Sequence, residues 1–220
     1  MRNTAIIAAA GSGKRFGSRV SKQFLNLNGK PVFLWSVKAF ASIKSFKQII
    51  VVVPSDMVES LSLKYKTGFV CTAGGNERFD SVKNGLALVG DDIDFIAVHD
   101  AARPLISKKD ILSVLEKAVE TKAAVAVEKA KDTVKLVSGG GGYILKTLDR
   151  TILRNVQTPQ IFKTELLKRA YSEKVSAGTT DDSQLVENLK IKVSAVETKF
   201  PNFKITTKQD FALAEKILKS

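Results

Sequence analysis

What most constrains this chain is a rhythm. Through about residue 130, short apolar runs alternate with helical patterns. Thr4–Ala9, Gln48–Val53, Gly68–Thr72, Phe95–Val98 and Ala123–Val127 are nearly continuous in apolar residues, many of them β-branched. A strand wetted on one face alternates apolar with polar positions, whereas a strand covered on both faces does not. These runs therefore read as buried strands. Between them, Val32–Ile43 places Phe33, Val37 and Phe40 near helical spacing. Phe79–Leu88 and Lys108–Lys122 follow the same pattern, the latter preceded by Ser107 as a natural N-cap. Such alternation implies an α/β fold with a mostly parallel, Rossmann-like sheet flanked by helices.

Beyond that point the rhythm breaks. Asp132–Val137, the cluster Ser138-Gly139-Gly140-Gly141-Gly142 and Tyr143–Leu148 read as a β-hairpin with a glycine tip. Such a hairpin is either an edge decoration or an arm that reaches a neighbouring molecule. Helical patterns return at Thr164–Val175 and Asp181–Glu187, a strand-like run at Lys192–Thr198, and a closing helix at Lys208–Leu218. No repeat or long linker divides the chain, so residues 1–220 read as one domain with an arm at about 132–160.

Composition narrows the function classes. No apolar run approaches the ~18 residues of a membrane span, and the first residues lack the long apolar stretch of a secretory signal. A single cysteine, Cys71, excludes an intrachain disulfide and a multi-cysteine zinc site. A cytoplasmic location fits best. The 35 Lys and Arg against 22 Asp and Glu leave a net charge of +13, which suits an anionic partner. The lysines are scattered singly, with no basic run interleaved with aromatics, so nucleic acid is not indicated and a phosphorylated small molecule is the better match.

The first strand runs into Ala8-Ala9-Ala10-Gly11-Ser12-Gly13-Lys14-Arg15-Phe16-Gly17. This resembles a P-loop, but Ala8 and Arg15 stand where that pattern needs Gly and Ser or Thr. The third glycine also falls one residue late for the dinucleotide-binding spacing. On their own, Gly11 and Gly13 suit an ordinary strand-to-helix turn. Lys14, Arg15 and Lys22 beside that turn make better sense with an anion present.

Ligands of open parallel sheets bind beyond the carboxyl ends of the strands. Following each strand in turn gives the glycine turn, then Gly74-Gly75-Asn76-Glu77-Arg78 with Ser81, then His99-Asp100-Ala101-Ala102-Arg103, then Asp132-Thr133-Val134-Lys135. Glycines, cations, small hydroxyls and carboxylates, Asp100 among them, thus gather on one edge. Asp100 is a natural ligand for Mg²⁺, which takes one or two carboxylates and completes its shell with phosphates and water. The lone His99 reads as structural rather than as a catalytic base, and Cys71 and Trp35 as core. Lack of a base is compatible with a phosphate monoester nucleophile, already anionic at neutral pH; catalysis is then positioning and charge stabilisation.

Taken in order, "AAAGSGKRFG", "SKQFL", "GGNERFDSVKNGL", "VHDAARP", "DTVK", "QTPQIF", "TDDSQLVE" and "NFKITT" resemble the 2-C-methyl-D-erythritol 4-phosphate cytidylyltransferases over nearly the whole chain. The resemblance implies a nucleotide-diphospho-sugar transferase fold and transfer of CMP from CTP to methylerythritol phosphate, with pyrophosphate leaving. It further implies that Gly11, Ser12, Gly13, Lys14 and Arg15 wrap the triphosphate, and that Arg15, Lys22 and Lys204 act at the reacting phosphates. Ala9, Ala10, Gly75 and Ser81 would line the nucleoside pocket, and Asp100 would hold Mg²⁺ or the ribose. Arg103, Thr133 and Lys204 would hold the second substrate. Arg150, Thr158 and Thr180 would complete the site, some reaching from the arm of a partner subunit in a homodimer. Ser21 and Phe16 depart from the family's usual Pro and Met, and neither change removes a charge. A ribitol 5-phosphate cytidylyltransferase is the neighbouring alternative; Ala102 and Lys135 favour methylerythritol phosphate.

Overall fold

The computed structural model describes residues 1–11, 16, 21–173, 179 and 181–219. In chain order its strands and helices are β1 (Asn3–Ala8), β2 (Asn26–Leu27), β3 (Lys30–Pro31), α1 (Val32–Ala41), β4 (Phe46–Val53), α2 (Val58–Lys64), β5 (Val70–Ala73), α3 (Arg78–Leu86) and β6 (Phe95–Asp100). Then follow α4 (Lys108–Thr121), β7 (Ala123–Lys129), β8 (Lys135–Val137), β9 (Ile144–Thr147), β10 (Arg154–Lys163), α5 (Thr164–Ser172), α6 (Asp182–Asn188), β11 (Ser194–Glu197) and α7 (Lys208–Lys219).

A seven-stranded sheet in the order β11-β7-β10-β6-β1-β4-β5 organises the molecule. β1 lies at its centre, parallel to β4 on one side and β6 on the other. Successive side chains of a strand leave on opposite faces. Ala5 and Ile7 of β1 accordingly pack with Phe33 and Phe40 of α1 and Ile111 of α4, while Ile6 packs with Val82 of α3 and Leu167 of α5. Two covered faces explain why the central strands are continuous apolar runs. A third, smaller cluster joins Phe16, Leu27 and Val32 to Ile205 and Ala214, docking α7 against the start of α1.

The mostly parallel α/β reading is thus borne out, with three corrections. β5 was expected to be buried, but it is an edge strand with Val70 exposed. Trp35 and Cys71 are only partly buried at the margins of the core. The third correction matters most: β10 is a ten-residue strand that sequence patterning did not reveal. It inserts between β6 and β7 and runs antiparallel to both. Its Gln157, Thr158 and Pro159 interrupt the register with β7 between Val156 and Gln160. A proline has no N–H for a ladder, so the sheet accommodates it where pairing lapses. The hairpin arm is present as β8 paired with β9 alone.

Candidate active site

A cleft of about 610 Å³ opens at the carboxyl ends of β1, β5 and β6. Among the described residues it is lined by Ala8, Ala10, Gly11, Lys22, Gln23, Gly75, Asn76, Glu77, Arg78, Ser81, Asp100, Ala102 and Lys204. Of the residues expected at a site, Ala10, Gly11, Lys22, Gly75, Ser81, Asp100 and Lys204 therefore meet on one wall. Ala9 is buried just behind it. Ser12, Gly13, Lys14, Arg15 and Thr180 lie outside the described residues.

The upper wall is shaped by backbone proximity. A Cβ on Gly74 would sit 2.2 Å from that of Ala10, and one on Gly75 would sit 2.2 Å from that of Asp80. Only glycine lets the loop after β5 press onto the end of β1. The Ser81 hydroxyl then accepts from the Gly75 N–H at 3.1 Å and donates to the Glu77 carbonyl at 3.1 Å, fixing this turn at the start of α3. On the glycine-turn side, the Gln23 amide donates to the Ala9 carbonyl at 3.2 Å and the Gly11 carbonyl at 2.8 Å. Gln23 follows Lys22 in a short 3-10 turn, Lys22–Phe24, so the same turn that ties down Gly11 carries the Lys22 ammonium to the cleft.

Asp100, the last residue of β6, is the charge centre. Its Oδ1 accepts from Arg78 Nε at 3.3 Å, its Oδ2 accepts from Lys204 Nζ at 2.7 Å, and Arg103 Nε stands 3.9 Å from Oδ2. Burial pushes its pKa up, but Arg78, Lys204 and Arg103 overcome that and hold it well below the usual carboxylate range. Asp100 is therefore ionised at any physiological pH.

Behind Asp100 the Thr158 hydroxyl accepts from the Asp100 N–H at 3.0 Å and lies 3.0 Å from His99 Nδ1. His99 Nε2 is 3.1 Å from the Arg103 carbonyl, which can only accept, so Nε2 carries the proton. Nδ1 then accepts from Thr158, and the imidazole is neutral with both nitrogens engaged. Burial, outweighing the pull of Asp100, lowers its pKa to about 4. His99 is thus structural, as its sequence context suggested. Thr158 is enclosed beneath Asp100 and does not line the cleft.

The distant motifs interlock here. Asn202 donates to the Thr158 carbonyl at 2.8 Å and to Gln157 Oε1 at 2.9 Å, while its own carbonyl accepts from Arg103 at 2.7 Å. The Ile205 N–H bonds the Ala102 carbonyl at 2.8 Å, which brings Lys204 over Asp100 from 104 residues away. Gln160 accepts from the Ser183 N–H and donates to Asp181, the N-cap of α6. Sequence reasoning quoted these segments but gave no role to Gln23, Arg78, Gln157, Gln160, Asp182 or Asn202. A buried polar residue inside a motif was the available signal, since such groups must find partners.

Thr133 and Arg150 stand apart. Both are exposed on the arm, and Arg150 bonds the Lys131 carbonyl at 2.7 Å. They do not line the cleft of their own chain. Among the described residues no cluster of three metal-binding side chains occurs, and no helix is long and apolar enough to cross a membrane.

A mostly parallel sheet with a glycine-shaped, cation-lined cleft at its carboxyl edge is the arrangement of a nucleotide-binding α/β enzyme, and the relatives of this chain are nucleotidyltransferases. The family profile of 2-C-methyl-D-erythritol 4-phosphate cytidylyltransferase matches residues 3–220. The chain is 91% identical to the 2-C-methyl-D-erythritol 4-phosphate cytidylyltransferase of Endomicrobium trichonymphae, over all of both chains, and 39% identical to that of Caldanaerobacter subterraneus, again over all of both. Its fold is similar to the crystal structures of the Anaerococcus prevotii 4-diphosphocytidyl-2C-methyl-D-erythritol synthase (TM-score 0.84, 29% identity, 100% and 99% covered) and the Thermus thermophilus cytidylyltransferase (TM-score 0.80, 31% identity, 100% of both). The chain belongs to the 2-C-methyl-D-erythritol 4-phosphate cytidylyltransferase family.

Proposed function

We infer that the chain transfers CMP from CTP to 2-C-methyl-D-erythritol 4-phosphate in the non-mevalonate isoprenoid route, and that the cleft around Asp100 is where it does so. In this reaction a substrate phosphate oxygen attacks the α-phosphorus in line. One P–O bond forms, the bond to the β-phosphate oxygen breaks, and pyrophosphate leaves. No proton need be removed from a phosphate monoester dianion. The observation that supports this reading most directly is the set of cations in the cleft: among the described residues Lys22, Arg78 and Lys204 line it, Asp100 has both oxygens engaged, and the Glu77 carboxylate is taken up by the capping box of α3.

Lys22 and Arg15 would stabilise charge on the five-coordinate phosphorus, where fixed donors act most strongly. Gly11, Ser12, Gly13 and Lys14 would hold the phosphates, and Ala10, Gly75 and Ser81 the nucleoside. Lys204 and Arg103 would meet the second substrate's phosphate, Thr158 would act through Asp100, and Thr180 would complete the site. The donor set fits Mg²⁺ held mainly by the triphosphate, with Asp100 the protein ligand once Lys204 moves off Oδ2. Such a cation would neutralise the charge building on the leaving pyrophosphate.

We also infer a homodimer built through the arm, in the cytoplasm. Tyr143 is 80% exposed, Ile144 65% and Ile152 78%. Several large apolar side chains on the two-stranded projection and on the segment that follows it make a surface suited to covering by another chain. A partner's arm would carry Thr133 and Arg150 to the second-substrate end of the cleft. Coupled pyrophosphate release with CTP and Mg²⁺, supplied separately with methylerythritol phosphate and ribitol phosphate, tests the assignment. Release with the first alone supports it; release only with the second overturns the substrate, and release with neither overturns the activity.

A further inference from the structure

Three cations converge on Asp100, yet they are held very differently. Lys204 has Asp100 as its one partner among the described residues, and its side chain is partly exposed. Arg103 is tethered through its other arm to the Asn202 carbonyl. Arg78 is fastened hardest. Its Nη1 and Nη2 donate in parallel to the two oxygens of Asp182 at 2.9 and 2.7 Å, a bidentate pair whose carboxylate is fully buried. Tyr171 of α5 donates to Asp182 Oδ1 from the far side. The Tyr171 ring is stacked on Phe79, the neighbour of Arg78, with centroids 4.7 Å apart and planes 5° off parallel. A chain of contacts therefore runs from α5 through α6 and α3 to the oxygen at the end of β6.

This arrangement has a chemical consequence. A bidentate guanidinium–carboxylate pair has fixed geometry, whereas a lysine ammonium is a point donor on a flexible stem. Asp182 also takes up much of the Arg78 charge, so Asp100 keeps enough negative charge to attract a second cation. We propose that Arg78, clamped by Asp182 and Tyr171, is a positioning residue that permanently holds Asp100 Oδ1, leaving Oδ2 as the exchangeable oxygen from which Lys204 departs to the incoming substrate phosphate. The two oxygens of Asp100 thus have separate duties. Oδ1 is structural, and Oδ2 is handed from Lys204 to whatever the occupied cleft brings. This deepens the assignment of Asp100 and Lys204 to the reaction and rests on it.

The test is a double-mutant cycle in the full-length protein, read as kcat and KM for each substrate. Asp182→Asn keeps shape and removes the charge that restrains Arg78. It is expected to lower kcat/KM for methylerythritol phosphate by roughly 10–100-fold, with KM for CTP changed less than about threefold, because coupled sites are non-additive. In an Asp100→Asn background the same change should cost less than about threefold, since its target is gone. Tyr171→Phe, which keeps the ring stack, is expected to follow in the same direction at about 3–10-fold and to lose its effect in the same background. Should Asp182→Asn not fold, Tyr171→Phe alone decides the matter. Equal losses in both backgrounds, or no loss in either, overturn the positioning role while the unmodified protein's activity still stands. An unmodified protein without activity would instead sink the underlying assignment.

Discussion

The cleft and the arm are opposites in how their side chains find partners. Around Asp100, charged and polar groups from β6, β10, α3, α6 and the segment before α7 engage one another inside the chain. On the arm, β8 pairs only with β9, and Leu136, Val137, Tyr143, Ile144 and Leu145 face outward. An apolar side chain left in water contributes nothing to folding, while a buried ion without its partner costs several kcal/mol, on the order of 3–5. Most of the described charged and polar side chains of the cleft are thus engaged within one chain, whereas the apolar side chains of the arm are left uncovered by it. Substitutions in the first should be felt by a single chain, and substitutions in the second by an assembly.

The sharpest test of the cleft half is Lys22→Ala. In the role proposed for it, its ammonium acts on charge that exists only in the transition state, so kcat should fall by about 10²–10³ while KM for CTP moves less than ~3-fold. Steady-state kinetics at saturating second substrate reads this directly, and an unchanged kcat would remove Lys22 from the reaction.

Next in size is the acid sensitivity of the support beneath the cleft. His99 is held neutral, with a folded pKa of about 4 against an ordinary 6.5. Between those values the unfolded chain binds a proton that the folded chain refuses, so stability falls as pH drops from 6.5 to 4. A shift of that size is worth about 3 kcal/mol. Urea unfolding at several pH values in this window measures it. His99→Asn should flatten the slope, and an unflattened slope would place the sensitive group elsewhere.

The smallest expected effect on the folded chain belongs to the arm. Tyr143→Asp with Ile144→Asp should leave the unfolding free energy of dilute protein within about 0.5 kcal/mol, as exposed substitutions usually do. Sedimentation should nevertheless show the proposed dimer lost, and activity should fall with it. A large loss of stability without a change of assembly would erase the contrast between the two regions.

Much of this architecture was legible in the amino-acid order. Parallel strands covered on both faces must be apolar throughout, and Ile6, Ile50, Val98 and Val125 announce that without any knowledge of partners. The Ser107 N-cap was equally readable, because its hydroxyl bonds the Asp110 N–H three residues on. β10 was not. Its Pro159 and its polar Gln157, Thr158 and Gln160 argue against a central strand by every local rule. They sit there because Asn202, His99, Asp181 and Ser183, all distant in sequence, satisfy them.

By itself, then, the sequence determined the parallel strands of the sheet, most of the helices, the gathering of glycines and cations at one edge, and the family. Those follow from residue type and short-range spacing, which act within a turn or a strand. Tertiary structure alone decided that Arg78 grips Asp182 across 104 residues, that Lys204 returns to Asp100, and that His99 is neutral. A charge has no preferred partner along a chain. Partners distant in the chain meet only when folding brings them together and removes the water that would screen them.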